Sequence, residues 1–167
     1  PEGAPDSMRE APSAPEWLAR PPAQVRQLAL RLGARACADE VRTAIAAADV
    51  RRWHELLGVD EYRCIVAGDG DGGGLPVSIA GVAALPVSAG SDDGDDIEGS
   101  AALGQRVTAV GAALLERACR DSGALALLRL RLMIAPAVWH GRPTATDVDA
   151  DALATTIAAL ADGAEAS

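Results

Sequence analysis

Residues 21–67 read PPAQVRQLALRLGARACADEVRTAIAAADVRRWHELLGVDEYRCIVA, a pattern that predicts several short helices in succession. Its first apolar residues recur at the spacing of one helix face, because Val25, Leu28 and Leu32 stand at i, i+3 and i+7. Two prolines open the stretch and suit the first turn of a helix, where a missing N–H removes no hydrogen bond. The spacing therefore predicts an amphipathic helix whose buried stripe continues to Ala36.

Three more short helices are predicted in the same stretch. Aspartates at 39, 49 and 60 can cap them, and Gly58 can end the third. Helices this short are marginal alone, so we expect them to pack together as one unit. The expected inward positions are Val41, Ala44, Ile45 and Ala48 in the second helix, Val50, Trp53 and Leu57 in the third, and Tyr62, Ile65 and Val66 in the fourth.

The composition of the chain also favours packed helices. Hydrophobic residues make up 49% of the 167 residues, yet aromatic residues make up 2% and phenylalanine is absent. The core must therefore consist of alanine, leucine, valine and isoleucine, which pack well between helices. All 15 basic residues are arginine, which excludes a P-loop lysine, a Schiff-base lysine and the lysine of a kinase.

The net charge of −9 argues against nucleic-acid binding. Proteins that bind DNA or RNA gain affinity by neutralising phosphates, and an acidic chain with few aromatic residues cannot do this well. No apolar run reaches the roughly 18–20 residues that span a bilayer. We therefore expect membrane contact only indirectly, through another protein.

No catalytic, cofactor or metal site is predicted. Cys37, Cys64 and Cys119 form no C-x-x-C pair, and an odd, sparse set is typical of reduced thiols. An enzyme with a thiol nucleophile is the weakest alternative. The two histidines, His54 and His140, are too far apart in the sequence to suggest a metal site.

Two loops interrupt the chain. The first, GDGDGGG at 68–74, formally contains G-x-G-x-x-G, but its aspartates would face a pyrophosphate, so we interpret it as a connector. It also begins like a calcium loop, yet the later carboxylate ligands are missing. The second, at 88–99, is rich in aspartate and is interpreted as a solvated acidic loop.

The second half of the chain contains the longest predicted helix, at 100–121. Ser100 can cap it and Gly123 can end it. Residues 75–87 are compatible with a strand or a short helix, and residues 124–134 with a strand or, preferably, a helix that is nearly all buried. A last helix is capped by Asp147 or Asp149 and ends at Gly163. The expected buried stripes are Leu103, Val107, Val110, Leu114 and Ala118 in the long helix, and Leu153, Ile157 and Leu160 in the last one.

Together these patterns predict a mostly α fold with a single irregular domain of about seven helices, and they leave open one short β element. The domain covers residues 21–163. Residues 1–20 form a flexible N-terminal arm, in which Trp17 either packs onto the domain or anchors a partner. Residues 164–167 form a frayed tail.

The order of several segments resembles a known family. LRLGA at 30–34, DEVRTAI at 39–45, ADVRRWHELLG at 48–58 and EYRCIVA at 61–67 are similar to the K component of the bacterial type III secretion sorting platform, the OrgA/MxiK/PscK family. APEWL at 14–18 resembles an N-terminal element of that family, although Ala14 stands where the family has histidine. LRLRL at 128–132, followed by Pro136, resembles a late segment of the family.

The resemblance implies a non-enzymatic, cytoplasmic protein of an injectisome. Such a protein links the pod protein of the sorting platform to the cytoplasmic domain of the inner-membrane ring protein, at the cytoplasmic face of the inner membrane. Candidate partner-binding residues are Arg51, Arg52 and Trp53 in the best-matched segment, with Arg129 and Arg131 further on. Trp53 serves as an anchor only if it is exposed; the alternative is a core position.

A different class of function also fits the sequence. The chain can be interpreted as a small helical regulatory or ligand-binding domain. Its pocket would then lie between the loop at 68–74 and the helix that starts near Ser100.

Overall fold

The computed structural model describes residues 14–68, 78–80, 96–139, 144–146 and 148–162. This part of the chain is mostly helical, which confirms the prediction of a helical domain of about seven helices. It contains eight α-helices: α1 (Pro22–Ala36), α2 (Ala38–Thr43), α3 (Ala47–Leu57), α4 (Val59–Ala67), α5 (Asp96–Ala118), α6 (Ala124–Met133), α7 (Pro136–Trp139) and α8 (Ala150–Asp162). Single turns of 3₁₀ helix occur at Glu16–Ala19 and Arg120–Ser122.

Two short strands form the β element that the sequence left open. Strand β1 (Ser78–Ala80) pairs antiparallel with β2 (Thr144–Thr146), and Ile79 lies opposite Ala145. The pairing joins segments from the two halves of the chain. Most of the predicted loop at 68–74, residues 81–95 and residues 163–167 lie outside the described residues.

The centre of the fold is the crossing of α1 and α5, the most extensive contact between any two described elements. The two helices meet at glycines. A Cβ on Gly33 would overlap the backbone carbonyl of Val107, and a Cβ on Gly111 would overlap that of Ala29. The two backbones therefore touch directly, an approach that only glycine permits at these positions.

Helix α1 buries the predicted stripe. Val25, Leu28 and Leu32 are buried, together with Ala29, and Ala36 is half-buried. Helix α8 packs against both α1 and α5. Its predicted stripe is buried as well, with Leu153, Ile157 and Leu160 all in the core.

The predicted cap at Asp149 is confirmed. Its Oδ1 accepts hydrogen bonds from the backbone N–H of Asp151 at 2.9 Å and of Ala152 at 3.1 Å. These bonds satisfy two of the unpaired donors at the start of α8. At the C-terminal end of α8, two arginines donate hydrogen bonds to backbone carbonyls. Arg20 Nη1 donates to the Ala161 carbonyl at 2.7 Å, and Arg31 Nη1 donates to the Leu160 carbonyl at 3.3 Å.

The other predicted caps are wrong. The aspartates at 39, 49 and 60 lie inside the first turns of α2, α3 and α4, and no side chain caps these helices. Negative charge in a first turn still interacts favourably with the helix dipole. Ser100 is likewise inside a helix, because α5 begins at Asp96, so the last residues of the predicted acidic loop are helical. Gly123, with φ of 90°, precedes α6 and does not directly end α5.

The predicted stripes of α2 and α4 are only partly buried. Helix α2 ends at Thr43 and Ala44 is extended, so the helical periodicity breaks there. Val41 is buried, but Ile45 is 91% exposed. In α4, Ile65 is buried and Val66 is largely exposed.

Part of the predicted N-terminal arm packs onto the helices. The turn Glu16–Ala19 places Trp17 and Leu18 in the core. For Trp17 the packing alternative therefore holds, and the prediction of a flexible arm is wrong for residues 14–20. Residues 1–13 lie outside the described part.

Candidate partner-binding surface

Helix α6 carries the candidate partner-binding surface, and only one side of this helix is buried. Alanine and leucine, both strong helix formers, fill its first turns, and Ile134 ends it in an extended conformation. Its buried side follows a spacing of four residues, with Ala126, Leu130 and Ile134 in the core. That side packs against α1 and against the turn Glu16–Ala19. Residues 124–133 form a helix, which is the alternative that the sequence favours, and not a strand.

The opposite side of α6 is exposed and apolar. Leu125 is 82% exposed, Leu128 is 54% exposed and Leu132 is 79% exposed. These leucines stand at i, i+3 and i+7, so they share one helix face. The prediction that this helix is nearly all buried is wrong, because the described neighbours of α6 cover one side of it only. Single exposed leucines are ordinary, whereas three in one stripe indicate an interaction surface.

Arginines stand on both edges of this leucine stripe. Arg129 follows Leu125 by four residues and is exposed, with no ion pair to any carboxylate in the described part of the chain. Arg131 lies at the other edge, three residues after Leu128, and its Nη2 donates to Glu116 Oε1 at 2.7 Å. We call these five residues, the three leucines and the two arginines, the α6 face.

The sequence segment that carries the α6 face has a net charge opposite in sign to that of the whole chain. Residues 116–139 contain four arginines and two carboxylates, which gives a net charge of +2 in a chain of −9. The remaining residues therefore carry −11. A local positive potential on an acidic protein attracts negatively charged partners to that place.

The second group of candidates, on α3, does not form one exposed surface. Trp53 is 3% exposed, so its core alternative holds and it is not a surface anchor. Arg52 is half-buried, and its Nη1 donates to Asp49 Oδ1 at 3.3 Å. Arg51 is exposed, and its contact with a partner stays a prediction.

Two of the three cysteines, Cys37 and Cys119, are buried and poorly suited to nucleophilic chemistry. Burial raises the pKa of the Cys119 thiol to about 11. Burial also raises the pKa of Cys37 to about 11; nearby Glu40 adds to this effect and Arg106 opposes it. Cys64 is exposed. A thiolate is the reactive form, so the two buried thiols are largely unreactive near neutral pH.

Clusters of metal ligands and membrane-spanning helices are also absent from the described residues. They contain no group of three or more histidine, cysteine, aspartate or glutamate side chains that could hold a metal ion. No helix in the same part of the chain is long and apolar enough to cross a bilayer. The pocket expected for a ligand-binding domain falls mainly at the loop 69–74, outside the described residues.

Comparison with known proteins adds no assignment. Neither a protein-family model, nor a curated protein, nor a solved structure matches this chain. The sequence segments and the surfaces of the molecule are therefore the basis for proposing what it does.

Proposed function

We propose that this chain is a non-enzymatic assembly protein of a bacterial type III secretion system. In this role it links the pod protein of the sorting platform to the cytoplasmic domain of the inner-membrane ring protein, at the cytoplasmic face of the inner membrane. The observation that carries the proposal is the ordered set of segments at 30–34, 39–45, 48–58 and 61–67, which resembles the K component of that platform.

The positions of these segments in the fold are compatible with the proposal. They fall on α1, α2, α3 and α4, which follow one another with one to three intervening residues. Helix α4 packs against both α2 and α3, and α1 contacts α2 and α3. The late segment at 128–132 lies on α6 and includes the exposed residues of the α6 face. A resemblance spread over the chain is thus brought together in one packed body.

A binding role also agrees with the distribution of polar groups. One polar cluster between helices is structural: Glu61, with a side chain 11% exposed, accepts hydrogen bonds from Arg31 at 2.8 Å and Arg35 at 3.1 Å. It ties α4 to α1 and leaves both carboxylate oxygens engaged. Adaptor proteins of this kind act through surface anchors, and the α6 face offers such anchors.

The experiment is co-purification from the bacterium that encodes this chain. A tagged copy replaces the chromosomal gene, cells are grown until the secretion apparatus assembles, and retained proteins are identified by mass spectrometry. Recovery of both the pod protein and the inner-membrane ring protein is expected. A strain that lacks the pod protein serves as the control, in which the ring protein should still be retained.

The same strains give a functional result. Deletion of the gene should abolish type III secretion, and the tagged copy should restore it. Recovery of neither partner, from cells in which the assembled apparatus is visible, would contradict the proposal. Normal secretion by the deletion strain would contradict it as well.

A further inference from the structure

We propose that the α6 face is a docking site for an acidic amphipathic helix of a partner protein. The partner helix would carry an apolar stripe that covers Leu125, Leu128 and Leu132, with carboxylates on both edges of that stripe. This inference requires only that the chain acts by binding. It does not depend on whether the partner belongs to a secretion system.

The shape of the surface favours a helix as the occupant. Helix α6 has ten residues, which corresponds to a length of about 15 Å. Its three exposed leucines form a convex ridge two turns long, and such a ridge packs between the side chains of a second helix that lies alongside. The contact is small, so we expect an affinity in the micromolar range, typical of transient interfaces.

The charges around the ridge favour an acidic occupant. Arg129 projects beside the leucines without a carboxylate partner in the described residues, so a glutamate of the docking helix can pair with it. On the other edge, Glu116 holds the Arg131 guanidinium in place at 2.7 Å, which leaves further N–H donors of the fork for a second carboxylate. The two arginines at the edges of the ridge would attract an acidic partner to this face.

The same charges disfavour a second copy of this chain. A two-fold axis between two α6 faces would place an arginine edge of one copy against an arginine edge of the other, in either relative direction of the helices. Like charges that face each other across an interface oppose association.

The test uses a synthetic, fluorescently labelled peptide as the probe. The peptide is an amphipathic helix with a leucine stripe at i, i+3, i+4 and i+7 and with glutamates on both edges of the stripe. A second peptide is identical except that lysines replace the glutamates. Binding of each peptide to the full chain is measured by fluorescence anisotropy at low salt and at 0.15 M salt.

We expect the glutamate peptide to bind with a dissociation constant of about 10 µM. The lysine peptide should bind at least about tenfold more weakly. The substitutions Leu132→Ser and Arg129→Glu should each weaken binding of the glutamate peptide about tenfold. Arg129→Glu should in addition strengthen binding of the lysine peptide, which a mere loss of structure would not do.

Matched controls lie elsewhere on the surface. Ile45→Ser removes an apolar side chain that is 91% exposed, and Arg26→Glu reverses the charge of an exposed arginine on α1. Both should leave peptide affinity within about twofold of the unsubstituted chain. The melting temperatures of all four variants should match, because each substituted side chain is exposed.

Several results would overturn the inference. These are absence of binding, equal binding of the two peptides, or equal effects of the control substitutions. Self-association in sedimentation velocity that is lost in Leu132→Ser would assign the face to a second copy. Flotation with phosphatidylglycerol vesicles that is lost in the same variant would assign it to a membrane.

The peptide assay and the co-purification have separate outcomes. If the peptide binds but neither secretion protein is recovered, only the type III assignment fails. If both secretion proteins are recovered but the peptide does not bind, only the docking inference fails.

Discussion

Helices α1 and α6 have similar compositions and opposite environments. Both combine leucines with arginines, yet Leu28 and Leu32 of α1 are buried while Leu125, Leu128 and Leu132 of α6 are exposed. Their arginines differ too. Arg31 and Arg35 of α1 bind Glu61, whereas Arg129 of α6 has no carboxylate partner among the described residues.

The packing partners of a helix, and not its composition, therefore decide whether its leucines are buried or exposed. Helix α1 lies against α5 along most of its length, and its leucines stabilise the folded chain. The three exposed leucines of α6 lose little contact with water on folding, so they add little to stability and stay available to a partner. The buried stripe of α1 therefore stabilises the fold, whereas the α6 face is left for binding.

The largest expected effect comes from shortening matched leucines on the two helices. Leu32→Ala removes a fully buried side chain and should lower the free energy of unfolding by about 2–5 kcal/mol, because it leaves a cavity in the core. Leu132→Ala should change it by less than about 0.5 kcal/mol. Urea unfolding of both variants measures the two free energies. Similar losses of unfolding free energy would contradict the contrast between the buried and the exposed leucine.

The next effect concerns the glycines of the α1–α5 crossing. Gly111→Ala places a Cβ against the backbone carbonyl of Ala29 and should destabilise the chain by about 1–3 kcal/mol, because the helices must separate. Gly104→Ala on the same helix is the control. Its Cβ meets only the end of the Leu56 side chain, which can move, so the variant should be neutral or slightly stabilised. A fall in melting temperature as large for Gly104→Ala would argue against a close helix crossing.

A smaller effect distinguishes the arginine partners of the two helices. Glu61→Gln weakens two ion pairs between α4 and α1 that are largely shielded from solvent, and should cost about 1–2 kcal/mol of unfolding free energy. Glu116→Gln weakens the pair with the half-exposed Arg131 and should cost less than about 0.5 kcal/mol. Chemical denaturation with urea, which is uncharged, measures both without screening the pairs. Equal costs would show that the two ion pairs are similarly solvated.

The cysteines show the same contrast between buried and exposed side chains, here in their reactivity. Their expected effect on stability is the smallest of those considered. Burial raises the pKa of Cys37 and Cys119 from 9.0 to about 11, whereas Cys64 is exposed. Iodoacetamide at pH 8 should therefore alkylate Cys64 first, and mass spectrometry of peptides identifies the site. Rapid alkylation of Cys37 or Cys119 in the folded chain would contradict their burial.

The raised pKa values of Cys37 and Cys119 determine how the stability of the fold changes with pH. Between pH 9.0 and about 11 the folded chain keeps thiol protons that the unfolded chain has lost. The stabilisation is fully present below pH 9.0 and decreases as the pH rises through about 11. Melting temperatures measured from pH 8 to 11 should fall less in a variant with both buried cysteines changed to alanine.

Local patterns in the sequence were sufficient to predict much of the fold. The stripes of α1 and α8 follow one clear period, and a single cap at Asp149 marks the start of α8. The crossing at Gly33 and Gly111 could not be predicted, because it depends on which distant helices meet. The pairing of β1 with β2 is non-local for the same reason.

The candidate surface could be predicted only in part. Arg129 and Arg131 stand out in an apolar run, so the sequence identified them. The leucines beside them were missed because every position of the run except these two is apolar, so periodicity did not separate a buried side from an exposed one. Trp53 was ambiguous for another reason: a tryptophan can serve as a core residue or as an anchor, and only its packing decides.

A methyl NMR spectrum of the leucines, recorded with a soluble paramagnetic agent, measures directly which leucines are exposed and which are covered by a partner. We expect strong broadening of the Leu125, Leu128 and Leu132 methyl signals, and little broadening for Leu32 and Leu114. Addition of the glutamate peptide should protect the first three signals and leave the others unchanged. If these three methyl signals were protected in the free chain, the leucines would not be exposed. If their broadening stayed unchanged with the peptide bound, the α6 face would not be the docking site.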